Sequence, residues 1–439
     1  MNKYNEPSFE SYNDKMLRLF PEKFPSTSSI LTLTFQVTED CCMACTYCYQ
    51  NKKNQNKMNF NTAKQIIDNL LLDDSCYNTE KVNGIILEFI GGEPLMEITL
   101  INQIVDYYFQ KSIELNHRFL YKTMISMASN GLLYFEPEVQ KFIKKYNNIL
   151  SYTVSIDGNK ELHDSCRVDL EGNGTYDRAI AAAMDRKNSN NLETKMTLSP
   201  DNIFYIFDAI KNLISLGYIS ISLNYVYEEG WNINHAKILY NELKKVADWL
   251  FETDSFKKYR ISLFNEDLFT PLPPEENNNW CGGVCNGMLS FDYAGNAFPC
   301  IRYMNSSLND KQLPYSIGTI DGLFQTEKEK ERYNILSSIT RSSQSTKECL
   351  ECPVAKGCGW CSGYNYEYFG TPNKRATFIC WMHKARSLIN SYYYNKGYYL
   401  LNENNRVKIY LSENDALQII SKEEWEELKF YENTMFKYN

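Results

Sequence analysis

Residues 41–48 read CCMACTYC, four cysteines in eight positions. Thiolates at that density bind metal or carry redox chemistry. The chain opens without the apolar core of a secretory signal, so its 14 cysteines do not read as a disulfide framework. The stretch has two frames. Cys42, Cys45 and Cys48 form C-x2-C-x2-C, which in iron–sulfur runs continues to a fourth cysteine followed by proline, but Lys52 and Lys53 stand there. Cys41, Cys45 and Cys48 form C-x3-C-x2-C, with the aromatic Tyr47 before the last thiol. A second field holds Cys281, Cys285, Cys300, Cys349, Cys352, Cys358, Cys361 and Cys380. A structural zinc site is the plain alternative for either field, and it asks for four nitrogen or sulfur ligands. Cys76 and Cys166 are isolated and read as small buried side chains. The four histidines show no metal spacing.

The elements around the first field are those of an α/β protein. ILTLTFQV (30–37), GIILEFI (84–90), TMISMAS (123–129), LSYTVSI (150–156), ETKMTLS (193–199) and YISISLNYV (218–226) read as strands. Helical patterns lie between them, making six βα repeats and a parallel sheet. Polar motifs sit where strands end: the cysteines after the first, GGEP (91–94) after the second, SNG (129–131) and SIDG (155–158) after the third and fourth. In such a sheet the C-terminal strand ends share one face, so these segments are expected to converge on one site. Asp157 reads as a turn residue.

The expected organisation is an N-terminal segment 1–28, a core 29–235, a helical bridge and linker 236–276, a Cys-rich domain 277–385, and a Tyr-, Asn- and Glu-rich extension 386–439 without cysteine. Net charge is −8, against a broad nucleic-acid surface, and no apolar run is long enough for a membrane span. A cytoplasmic location is expected, with no nucleic-acid or membrane partner.

The loop CCMACTYC together with Gly91-Gly92-Glu93-Pro94 resembles the cluster loop and second-strand motif of radical S-adenosylmethionine (SAM) enzymes. The resemblance implies a partial (β/α)6 barrel. Cys41, Cys45 and Cys48 would hold a [4Fe–4S] cluster whose open iron chelates SAM. Reductive cleavage of SAM then gives a 5′-deoxyadenosyl radical that takes hydrogen from a substrate. A fourth thiolate would close the open iron, so Cys42 should point away. SAM would lie against Tyr47, Gly91, Gly92, Glu93, Pro94, Ser129, Asn130 and Ser155, with Arg167 pairing its carboxylate. No catalytic acid or base is assigned.

The second field resembles the SPASM extension of these enzymes, which binds two auxiliary [4Fe–4S] clusters. Carried over, Cys281, Cys285, Cys300 and Cys361 hold the first and Cys349, Cys352, Cys358 and Cys380 the second, three clusters in all. The Cys358–Cys361 step is one residue shorter than the pattern. Such enzymes mostly act on peptides. One group forms cross-links, another oxidises a sulfatase residue to formylglycine and carries an aspartate where Ile301 stands here. That substitution favours a ribosomal-peptide maturase forming thioethers at cysteine, over a sulfatase-maturase-like enzyme or an electron-transfer iron–sulfur protein. Implied partners are a precursor peptide, a flavodoxin- or ferredoxin-type reductant, and a separate leader-binding protein, since only about 28 residues precede the first strand.

Overall fold

The computed structural model describes residues 30–188, 193–228, 230–277, 281, 283 and 287–434. The segment 1–28 and Cys285 therefore lie outside the described residues.

The six expected strands form: β1 (Ile30–Gln36), β2 (Gly84–Ile90), β3 (Thr123–Ser129), β4 (Leu150–Val154), β5 (Glu193–Leu198) and β6 (Ser220–Tyr225). Between them run α1 (Phe60–Leu72), α2 (Ile98–Glu114), α3 (Pro137–Tyr146), α4 (Lys160–Cys166), α5 (Tyr176–Asn188) and α6 (Ile206–Ser215). Strands β1 to β4 pair parallel in order. The ladder then opens. Among the described residues a single isolated bridge, Ser155 to Lys195, joins the ends of β4 and β5, and β5, β6 and β7 (Arg260–Ile261) form a second parallel sheet. The curved wall is a partial barrel, as expected, with a split between its fourth and fifth strands.

The strand sequences explain why the wall is curved and open. A parallel strand covered on both faces is apolar throughout. Here apolar and polar residues alternate. Leu31, Leu33 and Phe35 of β1 are buried against the helices, while Thr34 donates to Glu88 Oε2 at 2.7 Å. Glu88, Ser126, Thr153 and Thr197 are half-buried on the same face of successive strands. The inner face is thus polar and lines a cleft. The outer face packs on helices through residues such as Ile66, Ile67, Ile101, Ile104, Phe142 and Ile210.

The Cys-rich region is joined to this wall through backbone. After the helix α7 (Ile233–Glu252), strand β8 (Met288–Phe291) pairs parallel with β1, Thr32 opposite Met288 and Phe35 opposite Phe291. Strands β9 (Asn296–Phe298), β10 (Gly318–Thr319) and β11 (Gly322–Leu323) extend the sheet antiparallel. These strands carry no alternation long enough to read from sequence. Helices α8 (Glu327–Ser338), α9 (Ser362–Phe369), α10 (Cys380–Leu400) and α11 (Lys422–Asn433) complete the chain. The Tyr-rich α10 packs on α7 and α11, with Tyr392 donating to Asp248 of α7 at 2.5 Å. Among the described residues no helix is long and apolar enough to cross a membrane.

Candidate active site

The cysteine loop is held from two sides. On one, the β1–β2 pairing continues past the strands. Gly92 N–H donates to Thr38 O at 3.2 Å and Glu93 N–H to Asp40 O at 2.9 Å. A Cβ on Gly92 would meet Asp40 O at 2.3 Å and Cys41 Cβ at 2.7 Å. The double glycine thus lets the GGEP loop lie directly on the cysteine loop. On the other side, Ala44 N–H and Thr46 N–H donate to Val168 O and Cys166 O, both at 2.9 Å.

Cys45 feels the charge of Cys48, and Lys53 acts on both Cys41 and Cys45. Lys53 Nζ is tied down by Met43 O at 2.5 Å. Lys53 stands where the rejected cysteine frame would need its proline, and the structure makes it the cation of the loop, a role its sequence position did not suggest. Burial pushes the Cys45 thiol up, against the Arg167 charge. Cys42 does not turn away as expected: its thiol hydrogen-bonds with that of Cys41, and its Sγ accepts from Asn130 Nδ2 at 3.3 Å.

Glu93 is buried, and burial raises its carboxyl to about 7. Oε1 accepts from Leu95 N–H at 3.0 Å and Ser129 Oγ at 2.8 Å, and Oε2 from Asn130 N–H at 2.8 Å. A carboxylate has about four acceptor sites, so one remains for a ligand ammonium. Pro94 is buried at the start of the short helix Pro94–Glu97 that Glu93 caps. Ser155 N–H donates to Ser129 O at 3.0 Å, which places the third and fourth strand ends side by side.

Asp157 overturns its reading as a turn residue. It is fully buried and is the hub of the site. It accepts from Tyr47 Oη, from Arg167 Nε at 2.8 Å and from Thr197 N–H at 3.0 Å. The Arg167 guanidinium lies 5.4 Å over the Tyr47 ring. One carboxylate therefore fixes the aromatic residue of the cysteine loop, the arginine expected at the SAM carboxylate, and β5. Asp157 N–H in turn donates to Nδ1 of the buried His163 at 3.3 Å. The signal in the sequence was the SIDG motif itself, but an aspartate before glycine is so common in turns that its partners could not be foreseen.

The second field falls into two groups. Cys300 feels the charges of Cys361 and Cys281, and Cys361 feels that of Cys281. Cys358 feels Cys349 and Cys352, and Cys380 feels all three. The short step thus leaves Cys361 facing Cys281 and Cys300, because helix α9 starts there and turns its thiol to the Tyr364 N–H, 3.4 Å away. The second group lines a cavity of 890 Å³ together with Trp360, Arg375 and Trp381. Burial raises Cys300, Cys358, Cys361 and Cys380, the last to about 12. Thiols so placed ionise readily only with a cationic centre beside them. Among the described residues no three Cys, His, Asp or Glu side chains are grouped closely enough to hold a single metal ion. A cube of four irons spreads its thiolates wider, so this donor set suits clusters.

Residues 32–180 match the family model of the 4Fe-4S single cluster domain. An uncharacterized protein of Methanocaldococcus jannaschii is 32% identical over 193 residues, 44% of this chain and 61% of that protein, so the chain spans less than two thirds of that relative. The cysteine-type anaerobic sulfatase-maturating enzyme of Clostridium perfringens is 26% identical over 333 residues, 72% of this chain and 84% of that enzyme. A radical SAM cyclopropyl synthase of Paramaledivibacter caminithermalis is 21% identical over 388 residues, 84% and 75% of the two chains. The chain is thus similar, over most of its length, to radical SAM enzymes that mature peptides or proteins. The same fold is seen in native anSMEcpe with bound AdoMet and Kp18Cys peptide, at TM-score 0.60 and 17% identity over 85% of this chain and 99% of that one. It is seen again in Streptococcus suis SuiB bound to precursor peptide SuiA, at TM-score 0.50 and 14% identity over 79% and 75%. These similarities support SAM and iron–sulfur clusters as its cofactors.

Proposed function

We propose that this radical SAM enzyme matures a ribosomally made peptide by forming thioether cross-links at cysteine. The observation that carries the choice is Ile301, which follows Cys300 where formylglycine-forming enzymes of this group carry an aspartate. A relative and fold neighbours whose names refer to maturation or to peptides support a peptide substrate. Formylglycine formation on a sulfatase is the second reading, favoured by the extent of the match to the C. perfringens enzyme.

In this reading Cys41, Cys45 and Cys48 hold the SAM cluster. Cys281, Cys285, Cys300 and Cys361 hold one auxiliary cluster, and Cys349, Cys352, Cys358 and Cys380 the other. Bound SAM and its cluster supply the radical that takes hydrogen from the peptide. The chain's own residues prepare that event. Glu93 orients Ser129 and Asn130 and keeps one acceptor site for the SAM ammonium. Asp157 holds Tyr47 against the loop and leaves the terminal nitrogens of Arg167 for the SAM carboxylate. Lys53 and Arg167 offset the negative charge of a thiolate-bound cluster. The functional units are the core 29–235, the bridge 236–276, the Cys-rich domain 277–385 and the extension 386–439. A flavodoxin- or ferredoxin-type protein delivers the electron. The extension or a separate protein recognises the leader.

Mass spectrometry of a co-expressed cysteine-containing precursor peptide tests the reading. A loss of two hydrogen atoms per event, with 5′-deoxyadenosine formed alongside, is expected. Efficient conversion of a sulfatase-derived peptide to formylglycine, with no cross-linking, would establish the second reading instead.

A further inference from the structure

Ile301 leaves the reaction without the carboxylate that the neighbouring group of enzymes carries there, but the next residue brings in one from another element. Arg302, its side chain 14% exposed, lies between the Tyr49 ring, 5.1 Å away, and the Tyr364 ring, 5.8 Å away. Gly363 packs on it so closely that a Cβ would lie 2.4 Å from Arg302 Cβ. Its Nη2 donates to Glu228 Oε1 at 2.9 Å and to Glu367 Oε2 at 3.2 Å. One guanidinium thus links the cysteine loop through Tyr49, the end of β6 through Glu228, and α9 through Glu367.

The two carboxylates are not equivalent. The Glu367 side chain is 8% exposed and that of Glu228 is 39% exposed. A single guanidinium neutralises one of them. The remaining negative charge is best solvated on the one that water reaches, Glu228. With Oε1 on Arg302, Oε2 is the oxygen available to a cavity of 520 Å³ that Glu228 lines with Tyr47, Cys48 and Tyr49. The other ionisable groups around it are Asp201, His235 and Glu367. Asp201 is exposed. His235 Nδ1 accepts from Asn232 N–H at 3.1 Å, so in the neutral ring the proton is on Nε2 and the ring is a donor to the cavity. Glu367 lines the same cavity but its side chain is only 8% exposed, and burial raises its carboxyl.

We propose that Glu228 accepts the proton of the substrate cysteine thiol, with Arg302 as the positioning residue that aims it. This rests on the reading above of a cysteine-bearing peptide substrate. The S–H bond breaks heterolytically. The electron pair stays on sulfur, the proton goes to Glu228 Oε2, and from there to water at the cavity mouth.

The test is the ratio of modified peptide to 5′-deoxyadenosine, read on whichever oxidised-cysteine product the wild-type protein forms. Glu228→Gln keeps the shape and an oxygen for Arg302 but takes no proton. It is expected to lower the ratio by at least about a hundredfold, the usual scale of one general base, and Glu228→Asp to recover part of it. Iron content measured on the same samples separates this loss from a loss of folding. Wild-type coupling in Glu228→Gln would overturn the assignment, as would a loss in Glu228→Asp equal to that in Glu228→Gln. A formylglycine product from the wild-type protein would sink the thioether reading, and Glu228 would still be judged by the same ratio.

Discussion

At the scale of single residues, the site depends on a few buried groups whose partners come from distant parts of the chain. Arg167 is 11% exposed and Asp157 is fully buried, so Asp157→Ala strands a buried guanidinium. Breaking one side of a buried pair costs about 3–5 kcal/mol, and chemical denaturation should show a loss of that size. His163 gives a pH prediction. It accepts from Asp157 N–H on Nδ1, and Nε2 lies 3.2 Å from Thr175 Oγ1, which itself donates to Arg167 O. Burial and the Arg167 charge lower it from 6.5 to about 4. The unfolded chain takes up its proton near 6.5 and the folded chain only near 4. Stability is therefore full above 6.5 and falls by up to about 3 kcal/mol as pH drops to 4. Urea titrations across that window should show the slope, and His163→Gln should flatten it. In the cysteine loop, Cys41→Ala, Cys45→Ala and Cys48→Ala are each expected to abolish 5′-deoxyadenosine formation under dithionite. Cys42→Ala is expected to retain it, since Lys52 and Lys53 stand where the Cys42 frame would need its fourth cysteine and proline. An inactive Cys42→Ala beside an active Cys41→Ala would mean the other frame is the ligand frame.

At the scale of elements, two devices place the chemistry. One is the extension of the β1–β2 pairing into the loops, which needs glycine at 92. Gly92→Ala drives its Cβ into the backbone oxygen of Asp40, where no flexible side chain can yield. The expected result is a protein that keeps its helical circular dichroism and loses one cluster's worth of iron. The other device is β8, which covers the outer edge of β1. A chain cut after Glu276 would expose the unpaired backbone N–H and C=O groups of that edge and should aggregate, as open edges do. A monodisperse truncated core in light scattering would contradict this. The strands themselves were legible in the sequence, with β2 and β3 matching residue for residue, because each alternates or is bounded by glycine, asparagine or aspartate. Strands β7 to β11 were not legible. They are two to four residues long, too short for a period, and exist because partners already in place supply their hydrogen bonds.

At the scale of the molecule, the Cys-rich region is a continuation of the barrel wall, and Arg302 joins it to the cysteine loop beside Cys48. Three clusters imply about twelve irons per chain after anaerobic reconstitution, one cube for each cysteine group. A value near four with zinc present would remove the auxiliary clusters.

The sequence by itself determined the chemistry and the order of elements. Cysteine spacing is local, and three thiols within eight residues can reach one cluster in almost any fold that keeps the loop compact. The same holds for GGEP and for the alternation of the strands. What the tertiary structure decided was partnership over distance: that Asp157 gathers Tyr47, Arg167 and Thr197, that Lys53 serves the cysteine loop, and that β8 pairs with β1. None of these has a sequence signature, because a buried charge or an unpaired strand edge is satisfied by whatever group the fold brings within hydrogen-bonding distance.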